Sequence, residues 1–197
     1  MLNPFDRLTK LWQHNFSVYT ALDAVSAEIR GKHLSSILRV APFTLGANVA
    51  NGALILLAFW DTSWMLPVLC WLFSLMVITA IGARAWWVGR KTVIKTASPH
   101  AIRRSVWHAV YIASIWGLMP ALLFTQATPT QQVLIATIIP GMMGGGAFVL
   151  APVPLAGLAY LWVITLPSLF AVLSTNNPWF QVVAGLLLIY AGVVSVG

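Results

Sequence analysis

Residues 84–104 read RAWWVGRKTVIKTASPHAIRR. The stretch holds Arg84, Arg90, Lys91, Lys95, Arg103 and Arg104, six of the eleven Lys and Arg residues in the chain. The other five (Arg7, Lys10, Arg30, Lys32 and Arg39) precede the first long apolar run, and residues 105–197 contain no Asp, Glu, Lys or Arg. A soluble domain needs charge over its whole surface for solvation. A bilayer protein does not, and an excess of Lys and Arg marks the loops that stay in the cytoplasm. The quoted loop therefore decides the fold class: all-α, a polytopic membrane helix bundle, with this loop and both termini on the cytoplasmic side.

Composition agrees. The 197 residues are 59% hydrophobic and 8% charged, with a mean hydropathy of +0.86, against about 45–50% apolar and about 25% charged for soluble domains. The net charge of +7 does not imply nucleic acid. It clusters beside membrane ends, where the expected partner is the lipid bilayer, with anionic headgroups at the basic loop. The single cysteine, Cys70, excludes an intramolecular disulfide and reads as a small buried apolar residue. Residues 1–39 hold Asp6, Asp23 and Glu28 and lack an early apolar run, so they are not a cleavable signal peptide.

Outward from the basic loop, the chain divides into a leader, 1–39, and a six-helix transmembrane domain, 40–197. In the leader Tyr19, Leu22, Val25 and Ile29 recur at helical spacing from Phe16 on, with Asp23, Ser26, Glu28, Arg30 and Lys32 between or beyond them. This predicts a cytoplasmic, interfacial amphipathic helix, lying on the inner leaflet or packed on the bundle and bent at Gly31; a partly ordered leader is the alternative. A span needs about 20 apolar residues, and six runs qualify or nearly so: 40–60, with Pro42 in its first turn, 65–88, 106–124, 131–150, 155–173 and 179–197. Ser98-Pro99, Thr128-Pro129-Thr130-Gln131 and Asn177-Pro178 are helix starts, each an N-cap followed by proline at the first helical position, the second a capping box. Trp60, Trp64 and Trp179 fall at the outer interface and Trp86, Trp87 and Trp107 at the inner one; Trp71, Trp116 and Trp162 lie deeper and are expected to fill the bundle. The last helix ends in GLLLIYAGVVSVG with no basic flank, which predicts a fragment whose parent protein continues into a cytoplasmic domain.

The most unusual stretch is Pro140-Gly141-Met142-Met143-Gly144-Gly145-Gly146. Proline removes a backbone donor and glycine lets another backbone approach. One reading is a broken helix whose backbone groups line a ligand or ion site. The other is a kinked packing helix, with Gly141 and Gly145 as a small-xxx-small pair. His108 is read either as a pH-sensitive group or metal or haem ligand, or as an interfacial, hydrogen-bonded histidine. No second His, Cys or carboxylate stands at ligand spacing from it, His100 falls in the aqueous loop, and His14 and His33 form no constellation. Asp61 suits a turn better than proton coupling. No helix carries a charge in its middle, where one costs about 2.5–3.5 kcal/mol and is retained mainly for function. No phosphate loop, zinc motif, nucleophile elbow or carboxylate pair is present, so no catalytic residue, metal site or cofactor is assigned.

Taken together, a leader ending HLSSILRVAPF, a first helix with NVANGALILLAFWD, a basic loop with ASPHAIRRSVWHAV, and then WGLMPALLF and PGMMGGGAFVLAPVPLAGLAY resemble the N-terminal, MASE-like membrane sensor region of bacterial cyclic-di-GMP signalling proteins, those carrying GGDEF and often EAL domains. The resemblance covers essentially the whole chain. It implies a sensor and anchor module of the bacterial inner membrane, homodimeric, passing a signal along its last helix to cytoplasmic output domains. No GGDEF or EAL motif occurs in these residues, so no cyclase or phosphodiesterase activity is assigned to them. A small transporter or channel and an accessory subunit of a membrane complex are the alternatives.

Overall fold

The structure, a computed structural model, describes residues 17–175 and 177–196; His14 of the leader lies outside them. Six long helices follow one another: α1 (Ala24–Ala58), α2 (Met65–Gly89), α3 (Pro99–Leu123), α4 (Pro129–Leu150), α5 (Pro154–Leu173) and α6 (Pro178–Val196). Each is long and apolar enough to cross a bilayer, and among the described residues there is no strand. The chain is a multi-pass membrane helix bundle.

Most helix starts lie where local chemistry predicts. The Ser98 side chain accepts from the Ala101 amide, Asn177 accepts from the Trp179 amide at 3.0 Å, and Thr128 and Gln131 cap each other reciprocally. Gln131 also donates to the Ala58 carbonyl at 2.6 Å, satisfying a bare carbonyl at the end of α1. Asp61 has φ of 60°, a left-handed conformation that Asp and Asn tolerate better than most side chains, so its place is the turn between α1 and α2.

The leader differs from expectation. The helix that begins after the Asp23 cap runs unbroken for 35 residues, about 50 Å at 1.5 Å per residue, well beyond an apolar core of about 30 Å. Leader and first span are thus one rod through residue 39, with no break at Gly31 and with Pro42 in its interior. Its apolar face is not the face that packs on the protein. Leu22 is 88% and Val25 68% exposed, whereas Ser26 and Arg30 are buried. The packing face is set by small residues, not by hydrophobicity. The loop after α2 crosses α1 at Ala27, whose carbonyl accepts from the Ala97 amide at 2.9 Å. It also crosses at Gly31, where a methyl group would stand 2.8 Å from the Lys95 carbonyl oxygen.

Arg30 locks this crossing. Its guanidinium is 1% exposed and donates to the carbonyls of Ala97 at 2.8 Å, Val18 at 2.5 Å and Ala21 at 2.7 Å. Tyr19 adds a tie to the Pro152 carbonyl, in the turn between α4 and α5, at 3.3 Å.

Within the bilayer, α1, α2, α3, α5 and α4 close a ring in that order, and α6 packs chiefly on α5 from outside. Helices in lipid gain little from apolar burial alone and associate through close shape matching. The α1–α2 seam does this with glycine facing leucine at each step. Leu38 meets Gly89, Leu45 meets Gly82, and Leu75 meets Gly52, so both helices step by seven residues in an antiparallel register. At the α3–α5 crossing, Gly117 lies against Pro167 and the Val163 carbonyl, each 3.1 Å from where a methyl would stand. Trp71 and Trp116 fill the interior edge to face, 5.3 Å apart. Their indoles donate to the Ile115 carbonyl and to Asn48 at 2.7 and 2.9 Å. Trp162 is 37% exposed and Cys70 is exposed, so these two face outward rather than filling the bundle.

Arg30→Ala is expected to leave its carbonyls unpaired, at roughly 1–3 kcal/mol for each that water does not reach. Limited trypsinolysis of detergent-solubilised protein should cut faster at Arg90–Lys95, and Arg30→Lys, which cannot reproduce the fork of donors, should be intermediate. Unchanged cleavage in both variants would contradict the lock.

Candidate functional site

α4 continues as a regular helix through Pro140 and all of 141–146. The proline removes one backbone donor, but the helix is not broken there. The void beside Pro140, lined by Pro120, Ile139, Ser168 and Leu187 among others, is about 10 Å³, room for at most one water.

The glycines of this stretch divide into two faces. Gly141 and Gly145 point out of the bundle with nothing within 4 Å of a methyl at either position. Gly144 and Gly146 point inward, and each receives a tyrosine. The Tyr160 ring of α5 lies directly on Gly146, and its hydroxyl donates to the Met142 carbonyl, one turn back, at 3.0 Å. The Tyr190 hydroxyl of α6 lies on Gly144. One turn of α4 thus touches α5 and α6 together. Around it are Asn51 of α1, whose amide meets the Met142 sulfur at 3.2 Å, and Thr165, which donates to the Leu161 carbonyl at 2.6 Å. These contacts are polar but neutral, and they position helices rather than activate a nucleophile. Sequence reading found the glycines and missed both tyrosines. The missing signal was pairing in three dimensions, since Tyr160 and Tyr190 lie on other helices.

His108 lies half-buried on α3 and leans over Gly82 of α2, its Nε2 3.2 Å from where a methyl at 82 would stand. Its ring makes no hydrogen bond with the described residues. Among the described residues no three His, Cys, Asp or Glu side chains gather as a metal site. The Thr79 hydroxyl is buried without a partner among them. At the basic end, His33 Nδ1 lies 3.2 Å from the Tyr19 hydroxyl. Burial there lowers the histidine pKa and raises that of the phenol. Asp23 is held below the ordinary carboxylate range by the Ser26 amide, with Arg30 adding to the effect.

Comparison with protein-family models, curated proteins and solved structures finds no match to this chain.

The two glycine faces separate by substitution. Gly146→Ala drives a methyl into the Tyr160 ring and should lower stability in detergent by about 1–3 kcal/mol, the usual cost of overpacking. Gly145→Ala should be neutral or stabilising by up to about 1 kcal/mol, from helix propensity alone. Thermal unfolding monitored by circular dichroism checks both.

Proposed function

We propose that this chain is a membrane-embedded sensor and anchor module that passes a signal through α6 to cytoplasmic output domains, as in the cyclic-di-GMP turnover proteins it resembles. The observation that carries the reading is the contact of Tyr190 on Gly144. α6 is the peripheral helix of the bundle, packed chiefly on α5, and this contact joins it directly to the glycine-rich turn of α4. A change in how α4 packs on α5 at Gly146 therefore moves the surface on which α6 rests. Signalling of this kind requires two packings with different affinity for the stimulus.

Orientation supports the same reading. Six crossings return the end of α6 to the side where α1 begins and where the basic loop lies, and the positive-inside bias makes that side cytoplasmic in a bacterial inner membrane. The outward face of α4 at Gly141 and Gly145, open and with small-xxx-small spacing, suits a second copy of the chain and so a homodimer. The continuity of α4 withdraws the feature that favoured a transporter or channel.

A mutant cycle in the native polypeptide tests the coupling. Gly144→Ala meets the Tyr190 hydroxyl and should change cellular cyclic-di-GMP several-fold at unchanged membrane abundance. Tyr190→Phe should leave it near wild type, and the double variant, which removes the clashing oxygen, should restore it. An unaltered output from Gly144→Ala would overturn the proposal.

A further inference from the structure

We infer that the basic end of the α1–α2 seam is a binding cleft for a phosphate oxyanion, the chemistry of an anionic phospholipid headgroup. The inference goes beyond the signalling reading and holds whether or not the bundle signals. It begins with how the seam ends. α2 stops at Gly89, opposite Leu38. The next contact along α1 is made by loop backbone, where Lys95 presses on Gly31. Between these two layers the chain leaves the helix and turns back, and a gap of about 210 Å³ opens. That is several times the roughly 30 Å³ of one water, enough for a group of several heavy atoms. Ser35 and Arg39 of α1, Trp86 of α2, Arg90 just past its end and Thr92 of the loop surround it.

The lining states the charge of its occupant. Two arginines flank one cleft, and no carboxylate of the described residues pairs with them. Among the described residues Glu28 pairs with Lys32 at 2.8 Å, Asp23 is bound by the Ser26 amide at 2.8 Å, and Asp61 lies in the turn at the other end of α1 and α2. The Arg39 and Arg90 side chains make no hydrogen bond or ion pair with the described residues. Both guanidiniums are exposed at the mouth of the cleft, so their donors are open to an anion that enters it.

The donors fit a tetrahedral oxyanion. A guanidinium offers a planar fork of N–H groups matched to phosphate oxygens. Arg90 lies over Trp87, its central carbon 3.2 Å from the ring centroid, a contact that uses the face of a guanidinium and not its N–H groups. The Ser35 hydroxyl has no partner among the described residues, so it too can donate. Trp87 and Val88 beside the cleft are 60% and 68% exposed, an apolar flank along which an acyl chain can lie while its phosphate sits between the arginines.

The test uses the full chain in nanodiscs of phosphatidylcholine, with and without phosphatidylglycerol, and reads thermal stability. Phosphatidylglycerol should stabilise the wild type. Arg39→Gln with Arg90→Gln should abolish the effect, with apparent affinity falling about tenfold per arginine, the loss of one charge-assisted hydrogen bond each. Arg103→Gln with Arg104→Gln, an equal loss of charge at the start of α3 outside the cleft, should retain it. Equal loss in both double variants would mean diffuse surface attraction and would overturn the site, as would no response to anionic lipid or to inorganic pyrophosphate. Stabilisation by pyrophosphate in phosphatidylcholine alone, with the same arginine dependence, would support the phosphate site and assign it a soluble ligand. Arg90→Lys keeps the charge but not the fork, so a folded protein that binds with undiminished affinity would also contradict the inference.

Discussion

The rest of the structure depends on a single buried cation. Moving the Arg30 guanidinium out of water costs several kcal/mol unless its donors are met, and here three main-chain carbonyls meet them. Those carbonyls come from two places far apart in the chain: residues 18 and 21 ahead of α1, and residue 97 ahead of α3. Satisfying one side chain therefore fixes where the leader folds back and where the basic loop crosses. The loop in turn sets the start of α3, and Tyr19 carries the tie on to the α4–α5 turn through Pro152. The membrane-embedded part has no comparable anchor, because among the described residues no buried charge lies within it.

Inside the bilayer the organising device is size rather than polarity. Glycine facing leucine along α1 and α2, glycine facing proline at the α3–α5 crossing, and glycine facing tyrosine around α4 are versions of one solution, in which a missing side chain lets a large one in. The tyrosine contacts differ in one respect that matters for function. Tyr160 is buried and hydrogen-bonded to the helix it touches, whereas Tyr190 belongs to the helix with the fewest neighbours. The same turn of α4 is therefore held firmly on one side and loosely on the other, a geometry suited to passing a change in packing to α6.

Much of the architecture was legible in the sequence. Spans follow from length and hydropathy, and Ser98, Thr128 and Asn177 mark helix starts because a cap and a following proline act within three residues of each other. The errors all involve what faces what. Leu22 and Val25 read as the apolar face of a helix lying on lipid or on the bundle, and an apolar face cannot tell the two apart; the small pair Ala27 and Gly31 marks the face that packs on protein. Trp162 and Cys70 were placed inside for the same reason and lie outside. Arg30 looked like one more interfacial cation, because the carbonyls that bind it are invisible to a pattern of side chains. At the candidate site, Gly144 and Gly146 stood out as unusual residues, but their partners Tyr160 and Tyr190 are separated from them by a turn or by a whole helix, and no local rule connects them.

The account places the basic loop and the end of α6 on one side of the membrane, and the turn at Asp61 on the other. Cysteine accessibility measures this directly. With Cys70 replaced by serine, Lys95→Cys, Ser195→Cys and Asp61→Cys variants would be labelled with an impermeant maleimide in right-side-out and inverted inner-membrane vesicles. The account predicts labelling at 95 and 195 only in inverted vesicles, and at 61 only in right-side-out ones. Labelling of 95 and 195 from opposite sides would mean an odd number of crossings between them and would contradict both the bundle topology and a cytoplasmic output from α6.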